Sequence, residues 1–456
     1  MSRLVIITEL LNSLESVKYD ISKGIAPKMP NLKKGLEVLK LITSQVSPDM
    51  RQAVVPTLFP SLAAHVSNTY FQYSSNAYVE LCGTMNHLCG VTGIGKGQMD
   101  LCVKAICRDL VEHDQKELAK AAAQKKEDQA KGKKKGKKAE EENSQNTICL
   151  FYPPCDVTNP AFKLNAEACE NAGNRSQYYK LPEIEMADSM CGGHKKVSQN
   201  LRSIFDVEKS GALRATKDGV TCNPVLRVCI NFASTPIAAR KFYRYELFNG
   251  TLGRINFSYK PREGRSGKIP RLGSFDGDFL QKLDVYLDRL KECQGQYKVP
   301  QLNKLADQLA DDMAKLADLV DDDNVWDIAK RSIIYAWKSG CLLWIMNDMT
   351  WTRAIGEMVE WLVYHDLWSK MQLFGDMLKE GEDASNVNEK NTPQIMLDLV
   401  PDSFSEAQLE DVRKGMGKSA NAKEQLRQWV HRKFITYSAQ TGLYTKTNDY
   451  FNRNRK

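Results

Sequence analysis

Apolar residues recur at helical spacing along most of this chain, with short strand-like runs set among them. Leu4, Ile7, Leu10, Leu11 and Leu14 keep that spacing, as do Leu36, Val38, Leu39 and Ile42 after the Pro27–Pro30 break, so residues 1–75 read as a helical N-terminal region. Met85 to Cys89 is a strand candidate that leads straight into the glycine-rich stretch GVTGIGKGQ. Gln98 to Val111 then returns to a helical pattern through Met99, Leu101, Cys102, Ala105, Ile106 and Leu110. Further strand candidates follow at Ile148–Tyr152, Tyr178–Met186, Val225–Phe232 and Arg254–Tyr259, and strands alternating with helices predict a mostly parallel sheet. From about Gly277 the pattern is helical, with a seam of Leu302, Leu305, Leu309, Met313, Leu316 and Val320 opposite Asp307, Asp311, Asp312 and Asp318. Trp337, Trp344, Trp351, Trp361 and Trp368 sit among Leu, Ile and Met at helical intervals, which reads as core rather than as a base-stacking platform.

The C-terminal pattern is that of a separate module. After a polar linker, Pro393–Leu399, Ser405–Met416 and Ala420–Lys433 read as three helices, and Phe434–Tyr437 with Leu443–Lys446 as a hairpin. That order is a winged helix-turn-helix. The third helix and its surroundings display Lys423, Arg427, Gln428, His431, Arg432, Lys433 and Lys446 as candidate DNA contacts. A basic protein-docking domain is the other reading of the same module.

Charge sharpens this picture. The net charge is +8, yet residues 413–456 hold 11 Lys/Arg against two acids, a balance of +9 that leaves −1 for the other 412 residues. The excess positive charge lies in the C-terminal tenth, which points to a polyanion partner there. Gln115–Gln145 is a second charged stretch, with Lys131, Lys133, Lys134, Lys135, Lys137 and Lys138 followed by Glu140, Glu141 and Glu142. It reads as a solvated helix fraying into a disordered insertion, with a nucleic-acid arm as the other reading. Twelve cysteines occur without a C-x-x-C pair, so reduced, mostly buried thiols are expected rather than zinc ligands. The apolar start is broken by Glu9 and Asn12, and Ile333–Met346 is too short to span a bilayer, so a cytoplasmic protein without a membrane partner is expected.

Candidate chemistry centres on the glycine loop. Gly90 to Lys96 completes G-x-x-x-x-G-K between a strand and a helix, the context in which backbone amides surround phosphate oxygens. The nucleotide contacts expected are Gly90, Gly93, Ile94, Gly95, Lys96, Gly97 and Gln98, with ATP and Mg2+ as cofactors. Gly97 stands where a Ser or Thr hydroxyl would ligate magnesium, so water and strand-end carboxylates have to hold the ion. Glu183, Glu185 and Asp188 are those carboxylates, Glu185 and Asp188 for metal and Glu185 or Glu183 for the attacking water. A solvent-facing acidic strand end is the plain reading of the same residues. Thr235, at the tip of Val225–Phe232, could sense a γ-phosphate or cap the following helix, two compatible roles. Among Arg240, Arg244 and Arg254, the last is favoured as an arginine finger, acting in its own subunit or a neighbour's.

Taken in order, VVPTLFPSLAAHVSNTYFQY, the GKG loop, EIEMAD, ASTPIAARKFYR and NGTLGRINFSYKP resemble a P-loop family of helicase- and primase-associated proteins carried by bacterial mobile genetic elements. The resemblance covers roughly residues 50 to 375, and the basic tail fits it. It implies an α/β P-loop NTPase fold, RecA/AAA+-like, in which the GKG variant is familiar. It maps Glu183 and Glu185 onto the acidic strand end and Arg254 onto a glycine-adjacent arginine. Expected organisation is a helical region at 1–75, the NTPase core at 76–265 with its insertion at 115–145, a helical bundle at 266–380 and the winged helix at 393–456. The expected function is an ATP-dependent, helicase-like motor or loader acting on DNA in replication, mobilisation or transposition. A homo-oligomer and element-encoded replication or recombination proteins are its expected partners. A DNA-binding adaptor or regulator with a nucleotide-gated or inactive loop is the rival.

Overall fold

A computed structural model of the chain describes residues 25–73, 77–132, 148–211, 221–244, 246–247, 250–262, 273–320, 323–390, 397, 399–415, 421–431 and 433–448. The apolar start at Leu4–Leu14 and the Lys133–Glu142 part of the insertion lie outside these residues, as does most of Pro393–Leu399. The chain divides into two compact units, Met1–Gly375 and Asp376–Lys456.

The first unit is a mixed α/β fold. In chain order it contains α1 (Glu37–Ile42), α2 (Pro48–Ala63), β1 (Thr69–Tyr73), β2 (Ala77–Glu80), β3 (Met85–Gly90), α3 (Gly97–Ile106) and α4 (Arg108–Gly132). There follow α5 (Asn159–Asn171), β4 (Gln177–Leu181), α6 (Met186–Cys191), α7 (His194–Phe205), β5 (Val228–Ser234), α8 (Pro236–Tyr243), α9 (Thr251–Arg254) and β6 (Asn256–Lys260). Then come α10 (Gly277–Glu292), β7 (Gly295–Tyr297), α11 (Pro300–Val320), α12 (Asp323–Met346) and α13 (Arg353–Lys390), the last running past the unit boundary.

A four-stranded sheet in the order β4-β5-β3-β6, parallel throughout, forms the centre. Strands β3 and β5 are buried along their whole lengths, as central strands of a sheet covered on both faces must be. Helix α2 packs on β3, β5 and β6 and is apolar on nearly all sides, which suits a helix enclosed by the fold rather than one on its surface. It holds two internal prolines, Pro56 and Pro60, and one of the carbonyls they free finds a side-chain donor. Pro60 has no N–H to give the carbonyl of Pro56, and the Tyr335 hydroxyl donates to that oxygen at 2.7 Å. The N-terminal residues 48–63 therefore belong to the sheet's own core.

Two edges of the sheet are closed by side chains. Phe257 and Tyr259 of β6 turn their amides away from β3, where Asp366 Oδ1 accepts one at 2.6 Å and Ser369 Oγ the other at 3.1 Å. Spaced three apart on α13, these residues stand in for a neighbouring strand at these two amides. At the far side, Ile148–Tyr152 is not the strand the sequence suggested. Its Phe151 and Tyr152 amides donate to the Asp114 carboxylate at 2.8 and 2.7 Å, so only Phe151 O remains to accept Tyr178 N.

Two further sequence expectations change. Thr69–Tyr73 is a strand, not part of a helical region, and lies between β2 (antiparallel) and β7 (parallel) in a three-stranded sheet. Its Thr and Tyr-rich composition is that of a half-buried strand. The strand forecast over Tyr178–Met186 stops at Leu181, where Pro182 intervenes and the chain turns into α6. The helical forecast beyond Gly277 agrees with α10 to α13, where Trp337, Trp361 and Trp368 are buried. No helix among the described residues is long and apolar enough to cross a membrane.

In the second unit, β8 (Ser403–Phe404), α14 (Glu406–Gly415), α15 (Lys423–His431), β9 (Ile435–Ser438) and β10 (Leu443–Lys446) follow one another. The sheet order is β8-β10-β9, antiparallel. The hairpin was legible; the two-residue strand β8 was not, being too short to show a period. Leu397, Val400, Phe404, Leu409, Ala422, Leu426, Trp429, Phe434 and Ile435 form the core of this unit.

Candidate functional site

The glycine loop crosses from β3 to α3 at the C-terminal edge of the parallel sheet, the edge at which such sheets bind ligands. Gly93 and Gly95 have φ of +79° and +101°, left-handed conformations that favour glycine. Gly90 is required for another reason: a Cβ there would stand 2.9 Å from Ile94 Cγ2 and 3.4 Å from Lys260 O. Gln98 N and Met99 N already donate within the first turn, to Gly95 O and Lys96 O. The amides of Gly95, Lys96 and Gly97 spend no hydrogen bond on other described residues. Three adjacent donors at the start of a ten-residue helix are the elements of an anion cradle.

The Lys96 ammonium folds over this loop and donates to Gly90 O at 2.6 Å and Val91 O at 3.3 Å. Partial burial draws its pKa below the ordinary lysine value. Neutral carbonyls are weak partners for a cation, so a phosphate oxygen would displace them. Gln98 departs from expectation. Its side-chain oxygen accepts Ser47 N at 2.7 Å and its nitrogen donates to Ser47 Oγ at 3.0 Å, which satisfies the start of α2 instead of facing a ligand.

The sheet order sets the acids beside this loop. Leu181 of β4 is level with Phe232 of β5, which is level with His87 of β3. Glu183 and Glu185 follow on the turn into α6, exposed, two strand spacings or about 10 Å across the edge from the loop strand. Asp188 lies in the first turn of α6, half-buried. Among the described residues no three His, Cys, Asp or Glu side chains converge as a metal cluster. A nucleotide-bound magnesium needs only one or two protein carboxylates, since phosphates and water supply the remaining oxygens. The donor set therefore fits a magnesium nucleotide: Lys96 and the loop amides toward the phosphates, and Glu183 or Glu185 toward the ion through water.

At the tip of β5, Thr235 Oγ1 accepts Ala238 N at 3.3 Å and caps α8. Its hydroxyl hydrogen stays available, so capping and ligand contact are compatible. Ser234 is tied to residues the sequence reading did not single out. Its hydroxyl donates to Thr235 O at 3.0 Å, and so accepts from His87 Nε2 at 2.8 Å, while His87 Nδ1 accepts the Tyr243 hydroxyl at 3.1 Å. Burial, aided by the Lys96 charge, pushes the His87 pKa down to about 3, which leaves a neutral ring for this chain. The Asp100–Lys180 pair, at 2.7 Å, likewise joins the first turn of α3 to β4. One His in a strand and one Lys in another carry no sequence signature; their roles arise from strand pairing.

Arg254 is not brought to this site. It ends α9, ahead of β6, whereas Lys260 at the other end of β6 pairs with Gly90. It stands at the opposite edge of the sheet, holds Asp206 at 2.8 and 3.1 Å, and lies over the Phe205 ring. Arg240 donates to Leu373 O at 2.9 Å, and Arg244 is exposed.

In the second unit, α15 buries Leu426 and Trp429 and exposes Lys423, Arg427 and His431 on the opposite face. Lys433, just beyond, is also exposed. The Gln428 side chain and Arg432 lie outside the described residues. Lys446 does not join this face: its side chain is 6% exposed, and its ammonium is held by Val400 O at 2.8 Å and Asp402 at 3.4 Å.

The twelve cysteines are free thiols, all buried except Cys149 and Cys155. No family model, curated protein or solved structure matches the chain.

Proposed function

We propose that this protein is an ATP-dependent DNA-binding motor or loader of the P-loop class, acting on DNA of a mobile genetic element. The observation that carries the reading is the loop from Gly90 to Lys96. Positive-φ glycines, unspent amides and a lysine meet there at the C-terminal edge of a parallel sheet, with an acidic strand end two strands away. Lys96 and the loop amides hold the phosphates. Glu185 or Glu183 would hold magnesium through water, and the ion would supply charge neutralisation when bound. Thr235, at the tip of the neighbouring strand, would sense the terminal phosphate, and the basic face of α15 would take duplex DNA. Arg254 has no role at the loop of its own chain in this reading.

Gly97, together with the exposure of Glu183 and Glu185, favours a second reading: a DNA-binding adaptor whose loop binds nucleotide without hydrolysing it. Phosphate release with and without DNA separates the two. The motor reading expects DNA-stimulated turnover in the wild type and its loss in Lys96→Ala and Glu185→Gln. Equal, background-level release from all three proteins leaves the adaptor.

A further inference from the structure

Helix α8 begins at the tip of a central strand beside the loop and returns to the loop strand at its other end. Thr235 caps its start, and Tyr243 at its close donates to His87 of β3. His87 in turn holds Ser234, so both ends of α8 are fastened to the strand that carries the glycine loop. The outward face of this helix carries one apolar residue and two cations. Ile237, Lys241 and Arg244, spaced four and three apart, are all exposed, and Ile237 is 81% exposed. From Val228 to Tyr245 the sequence contains three cations and no acid; the next carboxylate, Glu246, is buried. One apolar side chain on a surface means little by itself. Set in line with two cations on a helix that starts at the ligand edge of a parallel sheet, it matches a nucleic-acid strand, whose phosphates take the cations and whose base faces pack on an aliphatic side chain.

We propose that the Ile237–Lys241–Arg244 face of α8 binds the backbone of a single DNA strand, and that the Tyr243–His87–Ser234–Thr235 chain fixes this face relative to the nucleotide. The inference rests on the function proposed above for its nucleotide link, but the surface itself can be tested without it. A charged single strand lying across α8 would be felt at Thr235 through a helix anchored at both ends, which gives DNA a route to alter turnover.

The test is fluorescence anisotropy of a labelled 20-nucleotide oligo-dT with the full chain, across a salt series. The proteins compared are wild type, Lys241→Ala/Arg244→Ala, and Lys423→Ala/Arg427→Ala in the second unit. Loss of two phosphate contacts lowers the slope of log affinity against log salt by about 1.4 and weakens binding about tenfold at 0.15 M salt. The α8 variant is expected to show that change on oligo-dT, to keep its affinity for ATP, and to lose stimulation of phosphate release by oligo-dT. The second-unit variant is expected to lose duplex affinity instead. Unchanged oligo-dT slope and affinity in the α8 variant, and in the charge-reversed Lys241→Glu/Arg244→Glu, would overturn the proposal. So would an equal loss of oligo-dT and duplex affinity in the α8 variant. A wild type that binds no nucleotide removes the motor reading, while the oligo-dT slopes still decide the surface.

Discussion

Ser234 Oγ stands 2.8 Å from His87 Nε2, and through that contact the tip of β5 is fastened to the strand carrying the glycine loop. Ser234 is nearly buried and His87 wholly so, and the ring is neutral because burial pushes its pKa down to about 3. His365, packed at a tilt against Trp361 and Trp368 on α13, is pushed down to about 3 by burial alone.

These two histidines make stability depend on pH. Their folded pKa lies below the unfolded value of 6.5, so at any pH between the two each ring takes up a proton on unfolding. Their contribution is complete above about pH 6.5 and is lost as the pH falls toward 3. Two such groups give a slope approaching ~2.7 kcal/mol per pH unit on the acid side of that window. Urea unfolding of the full chain at pH 7.5, 6 and 5 should show the midpoint falling with acid, with the slope roughly halved in His87→Gln. A midpoint unchanged from pH 7.5 to 5 would contradict both assignments.

Asp366 and Lys370 are fully buried and 2.7 Å apart, and the same carboxylate takes Ser332 Oγ and Phe257 N. Removing one partner leaves a buried charge and reopens the edge of β6. Asp366→Ala is expected to destabilise the protein by about 3–5 kcal/mol. Adding Lys370→Met should recover much of that loss, because the stranded ammonium goes with it. Denaturant melts of the two single variants and the double measure this; strict additivity would show that the pair is not coupled.

Residues such as Gly93, Gly95 and Lys96 were legible in the sequence because one local segment carries their whole geometry, a strand, a turn of positive φ and a helix start. The helices beyond Gly277 were legible because long amphipathic periods survive any tertiary context. Asp366, Ser369 and His87 were not, since each acts on a strand distant in the chain. The distance of Arg254 from the loop of its own chain was not legible for the same reason: its glycine-rich setting is local, but which edge of the sheet it occupies depends on the direction of β6. Lys446 reads as one more basic residue of the hairpin until β10 is seen to pair with β8, which turns its ammonium onto Val400 O.

Arg254 is a structural cation in this account. Two of its N–H groups converge on Asp206 Oδ2, and this partly exposed pair is worth about 1 kcal/mol. Arg254→Ala should lower the unfolding midpoint modestly and leave ATP affinity and phosphate release per folded molecule unchanged. Wild-type stability with turnover reduced a hundredfold would instead make it a finger reaching a neighbouring copy.

The central claim is that the Gly90–Lys96 loop binds nucleotide phosphate, and equilibrium titration of a fluorescent ATP analogue with magnesium tests it most directly. The account predicts saturable binding to the wild type, displaced by unlabelled ATP and weakened at least tenfold, about 1.4 kcal/mol, in Lys96→Ala. No saturable binding by the wild type, or equal affinity in Lys96→Ala, would contradict it.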